Sequence, residues 1–299
     1  MNLNHQIYWY LFPILLTFLV KEIYQLGKEK KLNKKDLFCT IGIIVGAELI
    51  YSLIYGAILV SYFFVYQHRI FDLGPAKWYA WIICFFADDF SYYWYHFVNH
   101  KVRFFWASHV VHHSSEDFNL STGLRIPWTS NVTGAFLFWI WMPLLGIHPL
   151  MVIFMKGLSA LYQFCLHTES IKRLPHWIEA IFVTPSHHRV HHASDVDYLD
   201  KNFGGNLIIW DKIFGTFYKE DHRPKYGLTE NIKSYNPVTV ATAEWKKLFK
   251  DIKSSNRLKN RVLLLFNPPG WKPGDRSKTA RQLQLEMKKL NKQKLFRYS

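Results

Sequence analysis

The chain has 299 residues, of which 49% are apolar and 18% aromatic, and its formal charge is +15. A basic chain suits either nucleic acid or an anionic membrane surface, and the segregation of the apolar residues into blocks favours the membrane and excludes nucleic acid. Cys39, Cys84 and Cys165 all lie in apolar stretches, which indicates small core residues rather than a disulfide framework or a zinc ribbon.

Four apolar segments predict helices in a membrane. Ile7–Leu26 and Leu37–Tyr66 are each long enough to cross a bilayer, and no cleaved signal is expected around the first. Trp78–Phe97 forms a third span. Thr133–Leu166 is interrupted by Pro143, Gly146 and Pro149, which predicts two short helices in a re-entrant hairpin.

The charges of the loops predict the orientation of these spans. Residues 27–35 hold five lysines, and basic loops stay in the cytoplasm. Every histidine cluster and the C-terminus then share the cytoplasmic face. The sequence thus predicts an all-α integral membrane protein with about four spans, including the hairpin, capped by a cytoplasmic histidine-rich helical domain. The predicted parts are N-terminal transmembrane helices (1–77), a histidine-rich domain (78–240) and a basic cytoplasmic tail (241–299).

The tail carries much of the positive charge. From Thr242 to Ser299, sixteen Lys and Arg residues stand against four acidic ones. Clusters of basic residues beside a membrane are attracted to anionic lipid. We therefore expect the tail to lie against the cytoplasmic leaflet.

Twelve of the fifteen histidines fall between residues 96 and 192, and most recur at helical spacing. Side chains three or four residues apart project from one face of a helix. A helix is expected to begin at Thr184 and Pro185, before the last cluster. The clustered histidines predict metal ligands, and they are His96, His100, His109, His112, His113, His167, His188, His191 and His192. The isolated ones, His5, His68, His148, His176 and His222, are expected to be structural.

Nine imidazoles exceed the ligands that one ion accepts, so two metal ions are expected. Nitrogen-rich sites with open positions fit redox iron better than structural zinc, which closes its shell with four ligands. Asp88, Asp89, Glu116 and Glu169 are expected to accept the remote N–H groups of the ligands. His187 is an ambiguous case, since it lies four residues before His191.

The histidine boxes resemble those of the fatty acid hydroxylase superfamily, which includes sterol desaturases and hydroxylases of fatty acids and ceramides. Its HxxxH, HxxHH and late HxxHH pattern is met at His96–His100, His109–His113 and His188–His192. A narrower likeness, to members that cleave glycerol ether lipids with tetrahydrobiopterin, spans roughly residues 88–275. It is carried by Trp106–Thr122, Tyr162–Glu169, Thr184–His192, Lys201–Phe217 and Pro269–Gly274.

This resemblance implies an integral-membrane, non-haem di-iron monooxygenase that hydroxylates a lipid, with tetrahydrobiopterin as a further implied cofactor. Two positions depart from the family pattern. Gln163 stands where many members have the first histidine of a further HxxxH pair, and residues 123–128 differ from the expected Ala-Leu-Arg-Gln-Ser run. The second departure affects the expected substrate or pterin pocket, whereas the metal ligands are unaffected.

Other functions stay open at the level of the sequence. The same iron site can desaturate a sterol or fatty acyl chain, and spacing does not separate the two outcomes. A zinc-binding transporter or scaffold would place ionisable groups inside the spans, where Glu48 is the strong candidate. The sequence contains no GxGxxG run and no haem-attachment motif, so an external electron donor is expected.

Overall fold

The computed structural model describes residues 3–274 and 277–297. This part of the chain is helical and contains no β-strand beyond three isolated bridges, which confirms the all-α class. Two short 3-10 helices cover Thr122–Leu124 and Ala135–Trp139. The α-helices of the described residues are α1 (Leu3–Lys28), α2 (Lys34–Tyr66), α3 (Trp78–Lys101), α4 (Arg103–His113), α5 (Trp141–Leu145), α6 (Pro149–Leu166), α7 (His176–Glu179), α8 (Pro185–His191), α9 (Ile209–Ile213), α10 (Pro237–Ser254), α11 (Leu258–Phe266) and α12 (Ala280–Arg297).

Several helices begin at residues that favour helix initiation. The Asn33 side chain accepts a hydrogen bond from Asp36 N at 3.2 Å and so caps α2. Thr184 caps α8 and Pro185 is its first residue, as the sequence predicted. The helix that carries the last histidine cluster therefore has a defined start.

Among the described residues, α2 and α6 are long and apolar enough to cross a membrane. The faces of α2 are largely uncovered by protein; Leu53, for example, is 83% exposed. An apolar helix without protein neighbours requires lipid around it. Together with the relatives described below, these helices indicate a membrane protein. The third predicted span lies on α3, which begins at Trp78 and continues four residues beyond Phe97. The number of spans remains a prediction.

The segment Thr133–Leu166 forms the predicted break between two helices. The chain passes through a 3-10 turn and α5, reverses at Gly146 and continues as α6. Gly146 has a φ of +114°, and a Cβ there would lie 2.1 Å from Phe71 O. A residue with a side chain would therefore displace the neighbouring loop.

The C-terminal helices pack against the histidine-bearing core. Arg103 of α4 is buried and pairs with Glu244 and Asp251 of α10, at 2.8 Å and 2.7 Å. The predicted boundary after residue 240 falls inside α10, and the division into three parts remains a prediction. Of the cysteines, Cys39 and Cys84 are buried as expected, whereas Cys165 is exposed.

Candidate metal centre

The nine predicted ligands converge in two groups. The first contains five imidazoles, and the second contains four. Within each group, one potential ligand atom per side chain lies within 4.8 Å of all the others. The first group is His96, His100, His109, His113 and His191, and the second is His112, His167, His188 and His192.

Helical geometry explains why α4 and α8 contribute to both groups. His109 and His113 are four residues apart and share one face of α4, while His112 turns toward the second group. At the end of α8, His188 and His192 share a face in the same way, and His191 turns toward the first group. Each HxxHH box therefore joins the two groups.

The atoms of the five-histidine group are arranged as metal ligands rather than as hydrogen-bond partners. The Nε2 atom of His113 lies 3.2 Å from the Nε2 atoms of His100, His109 and His191. A ring nitrogen has either one proton or one lone pair in the ring plane, so these three contacts cannot all be hydrogen bonds. The Nε2 atom of His96 is buried and has no hydrogen-bond partner among the described residues. Nitrogen lone pairs that converge in this way fit a metal ion.

The four-histidine group shows the same convergence. The Nε2 atom of His188 lies 3.0 Å from that of His167 and 3.1 Å from that of His192. His167 Nε2 is also 3.3 Å from His112 Nε2. The two groups are adjacent, because the rings of His113 and His192 stack with centroids 4.3 Å apart. The site therefore fits a pair of neighbouring ions.

Backbone carbonyls orient several of these rings. In each case an Nδ1 atom is 2.9 Å from a carbonyl oxygen, so Nδ1–H donates and Nε2 keeps its lone pair for a metal. The pairs are His96 with Phe203, His191 with Lys201, and His167 with Gln163.

The clustered histidines outside the predicted membrane spans are held in the neutral form. Burial, and then the neighbouring imidazoles, place the pKa values of His109, His113, His188, His191 and His192 well below 6.5. Burial also lowers the pKa of His167 to about 4. Neutral imidazole is the form that binds metal, so the protein presents these side chains ready to coordinate.

Two buried carboxylates fix the loop that orients His96. Asp211 accepts hydrogen bonds from Phe203 N and Gly204 N, both at 2.7 Å. Asp89 accepts from Asn206 N at 2.7 Å and from further donors of the same loop. The carbonyl of Phe203 is thereby held against the ring of His96.

The carboxylates expected to bind imidazole N–H groups have other partners. Asp88 accepts from Trp139 Nε1 at 2.7 Å and from Ser159 Oγ at 2.6 Å, and Asp89 binds the loop. Glu169 accepts from Tyr226 Oη and pairs with Arg223. The expectation was wrong for these three carboxylates, because backbone carbonyls accept from three of the imidazoles. For Glu116 it stays a prediction.

Asp200 is the carboxylate that faces a histidine of the site. Its Oδ1 lies 3.6 Å from His100 Nδ1, and its Oδ2 accepts from Lys101 at 2.5 Å. Burial opposes ionisation, but the nearby imidazole of His100 and the charge of Lys101 hold the pKa of Asp200 below its usual range. Asp200 and Asp211 were not predicted, because they come from irregular or short segments without helical periodicity. The family likeness around Lys201–Phe217 was the sequence feature that could have indicated them.

His187 lies outside both groups. Its Nδ1 accepts from Thr184 N at 3.3 Å as part of the cap of α8, and its ring packs on Phe217. His148 caps α6, and His222 stacks on Tyr198. The isolated histidines with described side chains therefore stand apart from the two groups, and the side chain of His5 lies outside the described residues.

An apolar cavity of about 510 Å³ ends at the histidine groups. Leu15, Leu16 and Leu19 of α1 line part of it, and residues of α3, α6 and the segment 123–139 line most of the rest. The imidazoles that it reaches are His109, His112, His167 and His188. A volume of several hundred cubic ångströms, apolar with few polar groups, is typical of a small-molecule site.

Comparison with known proteins agrees with this geometry. Residues 81–216 match the model of the family described as "Fatty acid hydroxylase". Human alkylglycerol monooxygenase is 41% identical over 219 residues, which are 72% of this chain and 48% of that protein. The alkylglycerol monooxygenase of Caenorhabditis elegans is 38% identical over 221 residues, covering 69% and 42%. Ornithine lipid hydroxylase OlsE of Rhizobium tropici is 29% identical over 131 residues, covering 44% and 39%. No solved structure matches the chain significantly.

The helical fold and paired histidine groups define a membrane protein of the histidine-box class. Residues 81–216, which carry both histidine groups, form a fatty acid hydroxylase domain. Among its relatives the chain is similar to the alkylglycerol monooxygenases, and it spans about half the length of those it matches.

Proposed function

We propose that the protein is a membrane-bound, non-haem di-iron monooxygenase that hydroxylates a lipid. The observation that carries the proposal is the convergence of nine imidazoles, eight of them buried, as five and four, at the end of an apolar cavity. The five histidines beginning with His96 would hold one iron and the four beginning with His112 the other. Two irons bound there supply the activation of O2 that insertion into a strong C–H bond requires, which zinc does not.

The residues of the chain bind and orient the substrate. The apolar walls provided by α1, α3 and α6 suit a long alkyl chain, because burying its methylenes contributes about 0.8 kcal/mol each. The same walls exclude water from the reacting carbon. The cavity meets the second histidine group at His167, immediately after the end of α6. A chain that enters from the leaflet is thereby directed toward the imidazoles.

The activity for which several relatives are named favours an alkylglycerol as the substrate. Relatives named alkylglycerol monooxygenase are 36% to 41% identical in this region. Hydroxylation of the carbon beside an ether oxygen gives a hemiacetal, which collapses to an aldehyde and a free glycerol. Tetrahydrobiopterin is the proposed reductant. Desaturation of an acyl or sterol chain is the other reaction that such a centre supports.

The deciding experiment uses purified, iron-loaded protein with an alkylglycerol and reduced pterin under ¹⁸O₂. The aldehyde is reduced as it forms, so that its oxygen does not exchange with water. A labelled product together with two irons per chain supports the proposal, and a His188→Ala variant serves as the inactive control. Absence of ether cleavage, with a labelled hydroxyl on an acyl or sterol substrate, would exclude the alkylglycerol. Loss of two hydrogens would assign desaturation, and zinc alone would point to the scaffold.

We also propose a multi-pass topology with the histidine groups and C-terminus in the cytoplasm. The lysine-rich loop between α1 and α2 supports this orientation. A helix of the basic tail suits the anionic leaflet, since Leu258, Val262 and Phe266 form an exposed apolar stripe along α11, flanked by basic residues. Reporter fusions at Lys31 and at the C-terminus test the topology, and both should report the cytoplasm.

A further inference from the structure

A second cavity reaches the histidine groups from another side. It has a volume of about 490 Å³ and touches His100, His113 and His191, all of the five-histidine group. None of these three lines the apolar cavity. The two cavities therefore approach the metal centre through different imidazoles, and this second one, here named the polar cavity, has no role in the lipid binding proposed above.

The C-terminal part of the chain forms the outer wall of the polar cavity. Arg103 fixes α10 to α4 through two ion pairs, and its backbone N–H donates to Asn267 O at 3.0 Å. The loop that follows is closed by a hydrogen bond from Lys278 N to Gly270 O at 2.9 Å. Gly270 has a φ of +82°, and a Cβ there would lie 2.3 Å from Lys278 O. This turn places Trp271 in the cavity wall.

The chemistry of the wall suits a neutral, planar molecule that forms hydrogen bonds. Apart from histidines, its ionisable residues are balanced in charge, with four basic and four acidic side chains. They are Arg103, Lys247, Lys272 and Lys278, and Asp200, Glu230, Glu244 and Asp251. A highly charged anion would find no excess of positive charge here. Trp106 and Trp271 offer aromatic faces for a flat ring.

Trp106 also connects the cavity to the metal ligands. Its ring centroid lies 5.1 Å from that of His100 and 5.7 Å from that of His113. A ring bound against Trp106 would therefore be connected to the five-histidine group through Trp106 itself, which contacts His100 and His113. Electrons can pass from such a ligand to the centre without crossing the lipid cavity.

We propose that the polar cavity binds the reductant, a small neutral heterocycle of the reduced-pterin class, with Trp271 as its aromatic platform. The proposal rests on the proposed function. Hydroxylation of one C–H bond consumes O2, two electrons and two protons and releases one water. Oxidation of a tetrahydropterin to the dihydropterin level supplies both electrons and both protons. A cavity of this size admits a small molecule, while the lipid has its own apolar entry.

The test measures binding and kinetics of the full-length protein in detergent, with tetrahydrobiopterin as the probe. Anaerobic calorimetry gives its Kd with metal-free and iron-loaded protein. The Trp271→Ala variant should raise Kd and the KM for pterin about ten-fold, with kcat and the KM for alkylglycerol changed less than two-fold. Trp271→Phe should restore most of the affinity. Trp177→Ala, which changes an exposed tryptophan outside the cavity, is the matched control.

A second variant keeps the test decisive if Trp271→Ala does not fold. Thr229 is an exposed residue of the cavity wall, so Thr229→Trp should narrow the cavity without touching a histidine and should also weaken pterin binding. Unchanged pterin affinity in both variants, or competition between alkylglycerol and pterin, would overturn the assignment. Equal turnover of wild type and Thr229→Trp with a protein electron donor, without pterin binding to either, would overturn it as well. Pterin binding that depends on Trp271 in a wild type inactive on every lipid would instead refute the proposed function alone.

Discussion

The Asp211 carboxylate allows a direct test of how the protein orients His96. Asp211 is fully buried and accepts hydrogen bonds from Phe203 N, Gly204 N and Thr216 Oγ1. The carbonyl of Phe203 in turn accepts from His96 Nδ1 at 2.9 Å. Replacing Asp211 by Asn keeps the shape of the side chain but turns one acceptor oxygen into an NH2 donor.

The expected loss of stability follows from the mismatch between the new NH2 group and the donors around it. In Asp211→Asn the new NH2 group meets an existing donor, and each buried donor left without an acceptor costs about 1 to 3 kcal/mol. Removing a buried charge offsets part of this loss, because burial raises the pKa of Asp211 to about 6. We expect a net destabilisation of roughly 1 to 3 kcal/mol, which lowers the thermal midpoint by several degrees. Displacement of the loop should also weaken iron binding in the five-histidine group.

The assay combines thermal unfolding in detergent with iron analysis of the purified protein. Asp211→Asn should retain about one iron per chain, since the four-histidine group does not depend on Phe203. Thr216→Val is the matched control, because it removes a single neutral hydrogen bond worth about 1 kcal/mol. If Asp211→Asn keeps two irons and its unfolding midpoint, the loop does not orient His96 in the manner described.

Three further outcomes are expected. His188→Ala should reduce the iron content or activity about ten-fold or more, whereas His187→Ala should keep both irons; the reverse result would shift the last box by one residue. Gly123→Ala should reduce iron binding in the four-histidine group, because a Cβ would lie 2.8 Å from the ring of His167; unchanged iron content would contradict this. The free energy of unfolding of the metal-free protein should be greatest above about pH 6.5, because burial lowers the pKa values of its histidines in the folded state, that of His167 to about 4. Its stability should fall toward pH 4 by about 1.4 kcal/mol per unit for each histidine, and a flat profile of urea midpoints would refute the reasoning.

The clustering of the histidines could be predicted in part because helical spacing specifies which side chains share a face. His109 and His113 had to project together from one helix, and the same held for His188 and His192. The apolar segments likewise predicted the positions of α2 and α6. What spacing could not supply was the division of nine histidines into five and four. That division depends on the angles between α3, α4 and α8, which long-range packing determines.

The supporting residues escaped prediction for a physical reason. Asp200 is close to its partner His100 in space but a hundred residues away in sequence. Asp88 and Asp89, by contrast, lie on the same helix as His96, which suggested direct contact. They instead bind tryptophans, a serine and the loop. Proximity along a helix therefore predicted which histidines lie together but not the partners of these two carboxylates.

The two histidine groups differ in size, and the two cavities contact them unequally. The apolar cavity touches three members of the four-histidine group and His109 of the other, and the polar cavity touches members of the five-histidine group alone. Gln163, where the family resemblance would place a further histidine, lines the apolar cavity one helical turn before His167. A histidine there would add a ring on the side of the apolar cavity. An ion held by four imidazoles would have more coordination positions free for oxygen than one held by five. Under the proposed function, the group with fewer imidazoles would thus lie on the side of the lipid, and the group with more imidazoles on the side of the reductant.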